Sequence, residues 1–463
     1  MLNIDENTSL SKQLAIIVRL SISPIFAQIA VVMMGYIDAS MVGHLGAESS
    51  ASIALVITTT WLLGGLCISS VCGFGVLVAQ QLGGNKEQKA RNTAKLAYIF
   101  GAVLSTALAC FGLAIHKGLP IWLGGAPELV TKASSYLFVY VLGLPFLQLN
   151  SVGIALLQST GNMRLPSIIN VLMCLLDVVF NSFLIFPTRE IVLAGWSFTM
   201  PGANLGVVGA ALGTAMAEAV TGSLLFWQVS CKSHSLHWRK GESFVFDTKV
   251  VKDAIGIGLP VCFERIVMSG AQIVGTYIIT PLGTISLAAH SFANTAESLC
   301  YMPGFGIGTA GVTIIGQTVG AKKFALAKSL GKVLTYFGMA TMSVSGIFMY
   351  AAAPLMMRIF SPNIDIITMG TQALRIEALA EPMFAASIVA SGVFRGAGDT
   401  LVPSCMNLVS LWLVRLPLAM YLTSRLGLYG FWLAMCIELC FRGSLFMFRL
   451  YSGSWLKKVQ KKI

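Results

Sequence analysis

Long apolar runs recur from one end of the sequence to the other, and they constrain the fold more than any other feature. Many exceed 18 residues and carry Trp or Tyr near their ends, as transmembrane helices do. We count about twelve of them. The chain is 56% hydrophobic, only 11% charged and has a mean hydropathy of +0.79, which is far from the composition of a soluble domain. The sequence therefore predicts an all-α membrane protein with about twelve transmembrane helices.

The net charge of +12 fits a membrane better than a nucleic acid, because the basic residues are spread over loops and not gathered in one domain. With the N-terminus inside, roughly twenty Lys and Arg residues fall in cytoplasmic loops, as the positive-inside rule expects. About five fall outside: Lys117, Lys132, Arg189, Arg358 and Arg425. We predict a multi-pass protein of the plasma (inner) membrane with both termini cytoplasmic. We expect a monomer in the lipid bilayer, with no nucleic-acid partner.

Sliding the chain along itself reveals an internal repeat. "VGHLGA" resembles "ITPLGT", which pairs Gly46 with Gly283 at an offset of 237 residues. The same offset pairs Gln80 with Gln317, Gly83 with Gly320, Pro145 with Pro382, Gly161 with Gly398, Pro166 with Pro403 and Asn170 with Asn407. One offset held over about 125 residues indicates a duplicated structural unit.

Beyond this region the offset falls to 221, where "GSL" at 222–224 matches "GSL" at 443–445. The first half therefore carries about sixteen extra residues, around "TREIVLAGWSFTMPGAN" in a predicted external loop. Six spans separate the copies, so both have the same orientation, as in parallel-repeat transporters. We predict an N-terminal six-helix lobe at 1–229, a cytoplasmic linker at 230–252 and a C-terminal six-helix lobe at 253–463. A channel is less consistent with the sequence, because repeated filter sequences and charged rings are not evident.

Carboxylates inside the apolar runs are the main candidates for chemistry, since each costs about 2.5 to 3.5 kcal/mol to insert in a membrane. Eight of the nineteen acidic residues lie in predicted spans: Asp38, Asp177, Glu218, Glu264, Glu297, Glu377, Glu381 and Glu438. At the offset of 237, Asp177 faces Val414 and Asp38 faces Gly275. The acids are therefore not part of the duplicated scaffold, and such groups often mark ion or substrate paths.

In the first half, Asp177 and Asn181 are four residues apart and share one helix face. A carboxylate in a partly dehydrated cavity can take up a proton near neutral pH, and a neighbouring amide can hydrogen-bond either protonation state. We interpret the pair as a candidate proton-binding group. The alternative is that Asp177 only bonds a neighbouring helix.

In the second half, four acids are candidate cation ligands: Glu264, Glu297, Glu377 and Glu381. Glu377 and Glu381 are predicted to share one helix face in a tenth span that runs from Thr368 to Val393.

Internal ion pairing is the alternative for these acids, because Arg265 adjoins Glu264, Arg375 lies near Glu377 and Arg415 lies in the eleventh span. We interpret the remaining intramembrane acids, Glu218 and Glu438, as structural.

Prolines inside the spans are possible hinges, since proline removes a helical hydrogen bond: Pro24, Pro145, Pro303 and Pro382. The ten cysteines mostly lie in apolar runs without a CxxC pair, so we interpret them as packing residues. We expect no cofactor, and no metal beyond possible sodium. GxxxxGK[ST], HExxH and GxSxG are absent, so the chain is not predicted to be an enzyme, and an ion gradient is the expected energy source.

The sequence also resembles the multidrug and toxic compound extrusion (MATE) family, in the superfamily that includes oligosaccharidyl-lipid and polysaccharide flippases. The resemblance covers essentially the whole chain. It rests on "DASMVGHLG", "VAQQLGG", "LQSTGNMRLPSIIN", "IGLPVCFERI", "LGTISLAAHSFANTAESLCYMPGFGIGTAGVTIIGQTVGA" and "GVFRGAGDTLVP". It implies a two-lobe antiporter that exports cationic or amphipathic small molecules in exchange for protons or sodium ions.

Four residues carry the resemblance to the family's ion sites. Asp38 matches the aspartate of the first span, and Glu264 fits the glutamate of "GLPxxxE" in the seventh. The fifth span of the family carries Asn followed by Asp, whereas here Asp177 precedes Asn181. The resemblance thus implies that Asp38 joins Asp177 and Asn181 in one proton site.

We therefore predict an ion-coupled multidrug efflux antiporter, proton-driven and working by alternating access. The alternatives are sodium coupling through the second-half acids or a flippase for lipid-linked saccharides. A flippase would favour a strongly cationic cavity, whereas here the intramembrane acids outnumber the arginines.

Overall fold

Helices account for nearly all of the chain in the computed structural model, which describes residues 8–193, 196–239, 241–242 and 244–460. Residues 1–7, 194–195, 240, 243 and 461–463, which the predicted lobes and linker include, lie outside the described residues. The first half contains α1 (Leu10–Gly43), α2 (Ala47–Gly83), α3 (Glu87–Ile115), the short α4 (Leu119–Trp122), α5 (Pro127–Ser159), α6 (Arg164–Leu184) and α7 (Gly206–Trp227), which continues into a π-helical turn (Gln228–Lys232).

The second half repeats this order of elements with more interruptions. It contains α8 (Thr248–Ile279) with a 3-10 turn (Thr280–Leu282), α9 (Thr284–Gly320), α10 (Phe324–Phe360), α11 (Ile364–Ala378), α12 (Glu381–Gly396), α13 (Leu401–Val409), a π-helical turn (Ser410–Arg415), α14 (Leu416–Leu426), α15 (Leu428–Ser452) and α16 (Ser454–Gln460). Within the described residues, eleven helices are long and apolar enough to span a membrane, and there are twelve spans if α11 and α12 count as one. The prediction of an all-α membrane protein with about twelve spans is confirmed.

The tenth span, predicted from Thr368 to Val393, consists of two helices, because α11 and α12 meet at a bend of 58° beside the candidate hinge Pro382. Pro382 stands in the first turn of α12, where its missing N–H would be unpaired in any helix. Inside a continuous helix the same proline would remove a hydrogen bond to Ala378 and crowd its carbonyl group. Its repeat counterpart Pro145 lies within the unbroken α5, so proline alone does not decide where the chain breaks.

A β-hairpin interrupts the first half after α6, and the sequence interpretation did not include it. Strands β1 (Pro187–Leu193) and β2 (Trp196–Ala203) pair antiparallel, with Arg189 opposite Met200. The β-branched and aromatic residues of "REIVL" and "WSFTM" were the available signal. The hairpin accounts for the extra residues of the first half, which have no counterpart in the second.

The internal repeat extends to the backbone. Three pairs of residues at the offset of 237 have matching left-handed φ values: Gly46 and Gly283 (100° and 93°), Asn85 and Lys322 (57° and 63°), and Gly161 and Gly398 (88° and 83°). Left-handed φ is uncommon for a residue other than glycine. Its recurrence at Asn85 and Lys322 therefore shows that the duplication fixed the local turn geometry, although the side chains have diverged.

The two halves pack against each other through α1, α2, α8 and α9. Near the crossing of α1 and α9, a Cβ added to Gly306 would lie only 2.7 Å from the backbone nitrogen of Ile25. Pro24 and Pro303, two of the candidate hinges, are within this crossing region and inside unbroken helices. Glycine is what allows the helices to come so close.

A symmetric contact joins the halves where α2 and α9 end, and we call Gln80, Gly83, Gln317 and Gly320 the glutamine–glycine clasp. The Gln80 side chain donates to the Gly396 carbonyl (3.1 Å), and the Gln317 side chain donates to the Ser159 carbonyl (2.8 Å). Each clasp glycine lies directly against the backbone of the opposite glutamine, so that an added Cβ would collide with it.

The segment between α7 and α8 folds back onto the start of α3. The Arg91 guanidinium donates to both carboxylate oxygens of Glu242 at 2.6 to 3.1 Å, and Asn92 exchanges two hydrogen bonds with the Val245 backbone. Because Arg91 hydrogen-bonds the carboxylate form, it holds the pKa of Glu242 below its ordinary value. The connection between the halves is thus fastened to the first half.

Candidate functional site

One amide joins the acidic groups of the first half. Asn181 on α6 donates through Nδ2 to Asp38 Oδ1 on α1 and to Asp177 Oδ2 one turn earlier on α6, each at 3.0 Å. Asp177 and Asn181 are fully buried. A carboxamide has two N–H donors, and here each carboxylate receives one. We call Asp38, Asp177 and Asn181 the first-half site.

Close helix packing gives this site its shape. α7 approaches Asn181 at Gly213, where an added Cβ would collide with the amide oxygen. Met173, Cys174 and Ala217 supply apolar packing beside it. Asp177 Oδ1 and Asn181 Oδ1 are buried without a hydrogen-bond partner among the described residues. Two adjacent carboxylates shielded from water repel each other unless they share a proton or a cation, so the site is suited to binding a small positive charge.

Glu218 extends this acidic region, although we had interpreted it as structural. Its carboxylate on α7 interacts electrostatically with Asp177. Unlike Asp177, it is partly exposed. The signal available in the sequence was that its repeat counterpart at the offset of 221 is Leu439, so the scaffold does not need an acid there.

In the second half, Glu264 is fully engaged by donors from other helices. Arg395 Nη2 lies 3.1 Å from Oε1 and 3.2 Å from Oε2, while Ser404 and Asn407 each donate at 2.8 Å. The partner is therefore Arg395 and not the adjacent Arg265. The repeat equivalents of Glu264, Arg395, Ser404 and Asn407 are Ala27, Gln158, Ser167 and Asn170, so this ion pair belongs to the second half alone.

Three other acids form a buried group beside the bend. Glu297, Glu377 and Glu381 are at most 4% exposed and interact electrostatically. The carboxylate oxygens of Glu377 and Glu381 have no hydrogen-bond partner among the described residues. The prediction that Glu377 and Glu381 share a face of one helix is wrong, since they lie at the end of α11 and the start of α12 on either side of the 58° bend.

The arginines near these acids take different roles. Arg375 is half-buried and reaches the Tyr350 carbonyl (3.4 Å), whereas Arg415 interacts electrostatically with Glu297 and Glu377. Elsewhere in this half, Glu438 is held by Arg442 (3.2 Å) and by the Ser410 hydroxyl (2.5 Å). Within the described residues, none of the three acids of the buried group forms an ion pair with an arginine.

A largely apolar cavity of about 450 Å³ lies beyond the first-half site, at the end of α1. Its lining comprises Tyr36, Ile37, Ser40, Met41, His44, Phe186 and Arg189. The Tyr36 hydroxyl bonds the Thr295 carbonyl and Ser298 Oγ (2.9 Å) of α9, so this wall connects the two halves. The cavity lies at the opposite end of α1 and α2 from the clasp.

Comparison with known proteins gives a consistent result. Residues 24–183 and 260–421 match the MatE family. The chain is 26% identical over 453 residues to the probable multidrug resistance protein NorM of Thermotoga maritima, covering 96% of this chain and 93% of that protein. It is 24% identical over 455 residues to the multidrug resistance protein MdtK of Edwardsiella ictaluri, covering 96% and 95%.

Among solved structures, the outward-facing conformation of a multidrug resistance MATE family transporter of the MOP superfamily superposes with a TM-score of 0.87. The match covers 96% of this chain and 97% of that one at 21% sequence identity. At this identity the match establishes a shared fold.

Proposed function

The chain belongs to the MATE family of transporters in the MOP superfamily, and on that premise we propose that it is a proton-driven antiporter that exports cationic or amphipathic compounds. Members of the family are membrane transporters and not enzymes. The relatives named as multidrug resistance proteins support a multidrug role. The observation that carries the proton coupling is the Asn181 amide that bridges Asp38 and Asp177.

In the proposed cycle, a proton from outside binds the first-half site while the cleft faces outward. Neutralising one carboxylate weakens the hold of the site on a cationic substrate, which then leaves to the outside. The helices rearrange, the proton is released inside, and the ionised site accepts the next substrate. Proton entry and substrate exit are coupled because both act on the same carboxylates, as alternating access requires.

The ion pairing of two arginines is consistent with a cationic substrate. Arg395 is paired with Glu264 and Arg442 with Glu438, so these two guanidinium groups are neutralised locally. The unpaired acids of both halves leave the interior acidic. This speaks against the flippase alternative, which would favour a cationic cavity. The apolar lining of the cavity beyond the first-half site suits the hydrophobic part of an amphipathic compound.

Transport by purified protein in proteoliposomes tests the proposal. A pH gradient should drive uptake of a fluorescent cation such as ethidium in the wild type, and Asp38→Asn and Asp177→Asn should abolish accumulation. The matched control is Glu128→Gln, which removes an exposed carboxylate at the start of α5. Accumulation against a gradient by both aspartate variants would refute the proposal.

Sodium coupling is the second candidate, favoured by the unpartnered carboxylates of Glu377 and Glu381. A sodium jump at clamped pH should leave uptake unchanged if protons drive the cycle. Uptake that follows the sodium gradient, and that Glu377→Gln and Glu381→Gln abolish, would establish the sodium alternative.

We further propose that residues 1–229 and 253–463 move as two lobes about the linker, with both termini on the cytoplasmic side of the plasma membrane. The repeated backbone turns support two equivalent units. The distribution of basic loops supports the orientation. Protease access to tags at the two termini, compared in intact cells and in inverted vesicles, tests it.

A further inference from the structure

Glu218 is an acid inside a membrane span. No hydrogen bond or ion pair holds its carboxylate within the part of the chain that the structure describes. It is partly exposed, whereas Asp177 and Asn181 beside it are fully buried. An unpaired intramembrane carboxylate normally faces a water-filled cavity or the interior of the bundle.

The residues around Glu218 indicate that its carboxylate faces the interior of the helix bundle. Ala215 and Gly222, which share a face of α7 with Glu218, pack against Gly143 and Asn150 of α5. The carboxylate also interacts electrostatically with Asp177 of α6. Thr214, one turn earlier on α7, also lies against Asp177, which places Glu218 on the face of α7 directed at the first-half site. Glu218 therefore lies on a face of α7 that packs against α5 and approaches Asp177 of α6.

Two stacked tyrosines of α5 lie near the acids of the first half. Tyr136 and Tyr140, one turn apart on α5, stack with ring centroids 6.4 Å apart and planes inclined by 19°. Tyr136 interacts with Asp38 and Asp177, while Tyr140 interacts with Glu218. A carboxylate next to aromatic rings suits an organic cation, because the rings attract positive charge and cover apolar surface.

We propose that Glu218 binds the positively charged nitrogen of an exported monovalent organic cation, while Asp38 and Asp177 carry the proton. This inference rests on the proposed antiport function and refines it, because substrate and proton would occupy neighbouring carboxylates and not the same ones. Asp177 has a buried Oδ1 without a hydrogen-bond partner among the described residues, and its charge acts on Glu218. A cation bound at Glu218 favours ionised Asp177, and a proton on Asp177 weakens cation binding by the same factor, which is the reciprocity that coupling requires.

Binding of ethidium to purified protein, followed by fluorescence anisotropy, tests the assignment. Glu218→Gln keeps the size and hydrogen-bonding capacity of the side chain but removes its charge, and should raise the Kd at least tenfold. Glu218→Asp keeps the charge and should stay within about threefold of wild type. The exposed-site control Glu128→Gln should not change the Kd. An unchanged Kd in Glu218→Gln, or an equal loss in Glu218→Asp, would overturn the inference.

A measurement on the unmodified protein covers the case in which a variant fails to fold. Dicyclohexylcarbodiimide modifies membrane-embedded carboxyl groups, and mass spectrometry reports modification at each residue. Bound ethidium should protect Glu218 from modification, and no protection would refute the assignment. Failure of pH-driven transport in the wild type would instead refute the proposed function, so the two failures are distinguishable.

Discussion

Replacing the clasp glycines should release the contact between the halves at one end of the molecule. In the variant Gly83→Ala with Gly320→Ala, each new methyl group would collide with the backbone of the opposite clasp glutamine. To remove these collisions, α2 and α9 must separate by more than about 1 Å, since carbon atoms in contact lie about 3.5 to 4.0 Å apart. A loss of this contact would not be due to helix propensity, because alanine is a better helix former than glycine.

The size of the effect follows from the two clasp hydrogen bonds, Gln80 to Gly396 and Gln317 to Ser159. Each is worth about 0.5 to 1.5 kcal/mol, so losing both costs the closed arrangement about 1 to 3 kcal/mol. That corresponds to a change of roughly 5- to 150-fold in the ratio of closed to separated molecules. We expect a correspondingly larger separated population.

Spin labels at Asn85 and Ala321, in the two exposed turns beside the clasp, report this separation by pulsed electron resonance. The exposed cysteines Cys110, Cys231 and Cys405 are first replaced by serine to prevent labelling elsewhere. The control is Gly256→Ala, where an added Cβ meets no atom within 4 Å. A distance distribution equal to that of wild type in the double variant would refute the role of the clasp in holding the two halves together.

Three further outcomes are expected. Gly213→Ala should displace the amide of the first-half site, cost about 1 to 3 kcal/mol of overpacking and reduce pH-driven uptake; wild-type uptake would contradict this. Glu264→Gln should lower the Tm, because it leaves the Arg395 guanidinium without its counter-charge and reduces the free energy of unfolding by about 3 kcal/mol. Adding Arg395→Leu should recover part of the lost stability, and an unchanged Tm in Glu264→Gln would show that the pair is dispensable. The pKa of Glu242 is lowered by Arg91, so their bond fully stabilises the docked linker above the unfolded pKa of about 4.3, and this stabilisation is lost as the pH falls below that value. Protection of linker amides from hydrogen exchange, relative to their intrinsic rates at each pH, should therefore fall below about pH 4.5 in wild type but stay constant there in Glu242→Gln.

The sequence was sufficient where the information is local. The apolar runs predicted the spans because a membrane segment must be apolar along its own length. Asp177 and Asn181 were predicted to share a face because the helical period alone sets their relation, and the reversed order of acid and amide does not prevent the amide from reaching both aspartates. The repeat likewise predicted the matching turns.

The sequence did not predict which side chains meet between helices, because these contacts depend on tertiary packing and not on any local pattern. Glu264 pairs with Arg395, 131 residues later, and not with its neighbour Arg265, because the direction of each side chain follows from how α8 meets α12 and α13. Pro382 begins a new helix, whereas its equivalent Pro145 lies inside a continuous one, although both sit at the same place in the repeat. The role of Glu218 depends on the packing of α7 against α6, where no basic side chain of the described residues pairs with its carboxylate. The sequence determined which segments cross the membrane and which charges they carry, because hydropathy and helical periodicity are properties of each segment. The tertiary structure decided which of those charges are neutralised and which stay open, because that depends on the distances between atoms on different helices.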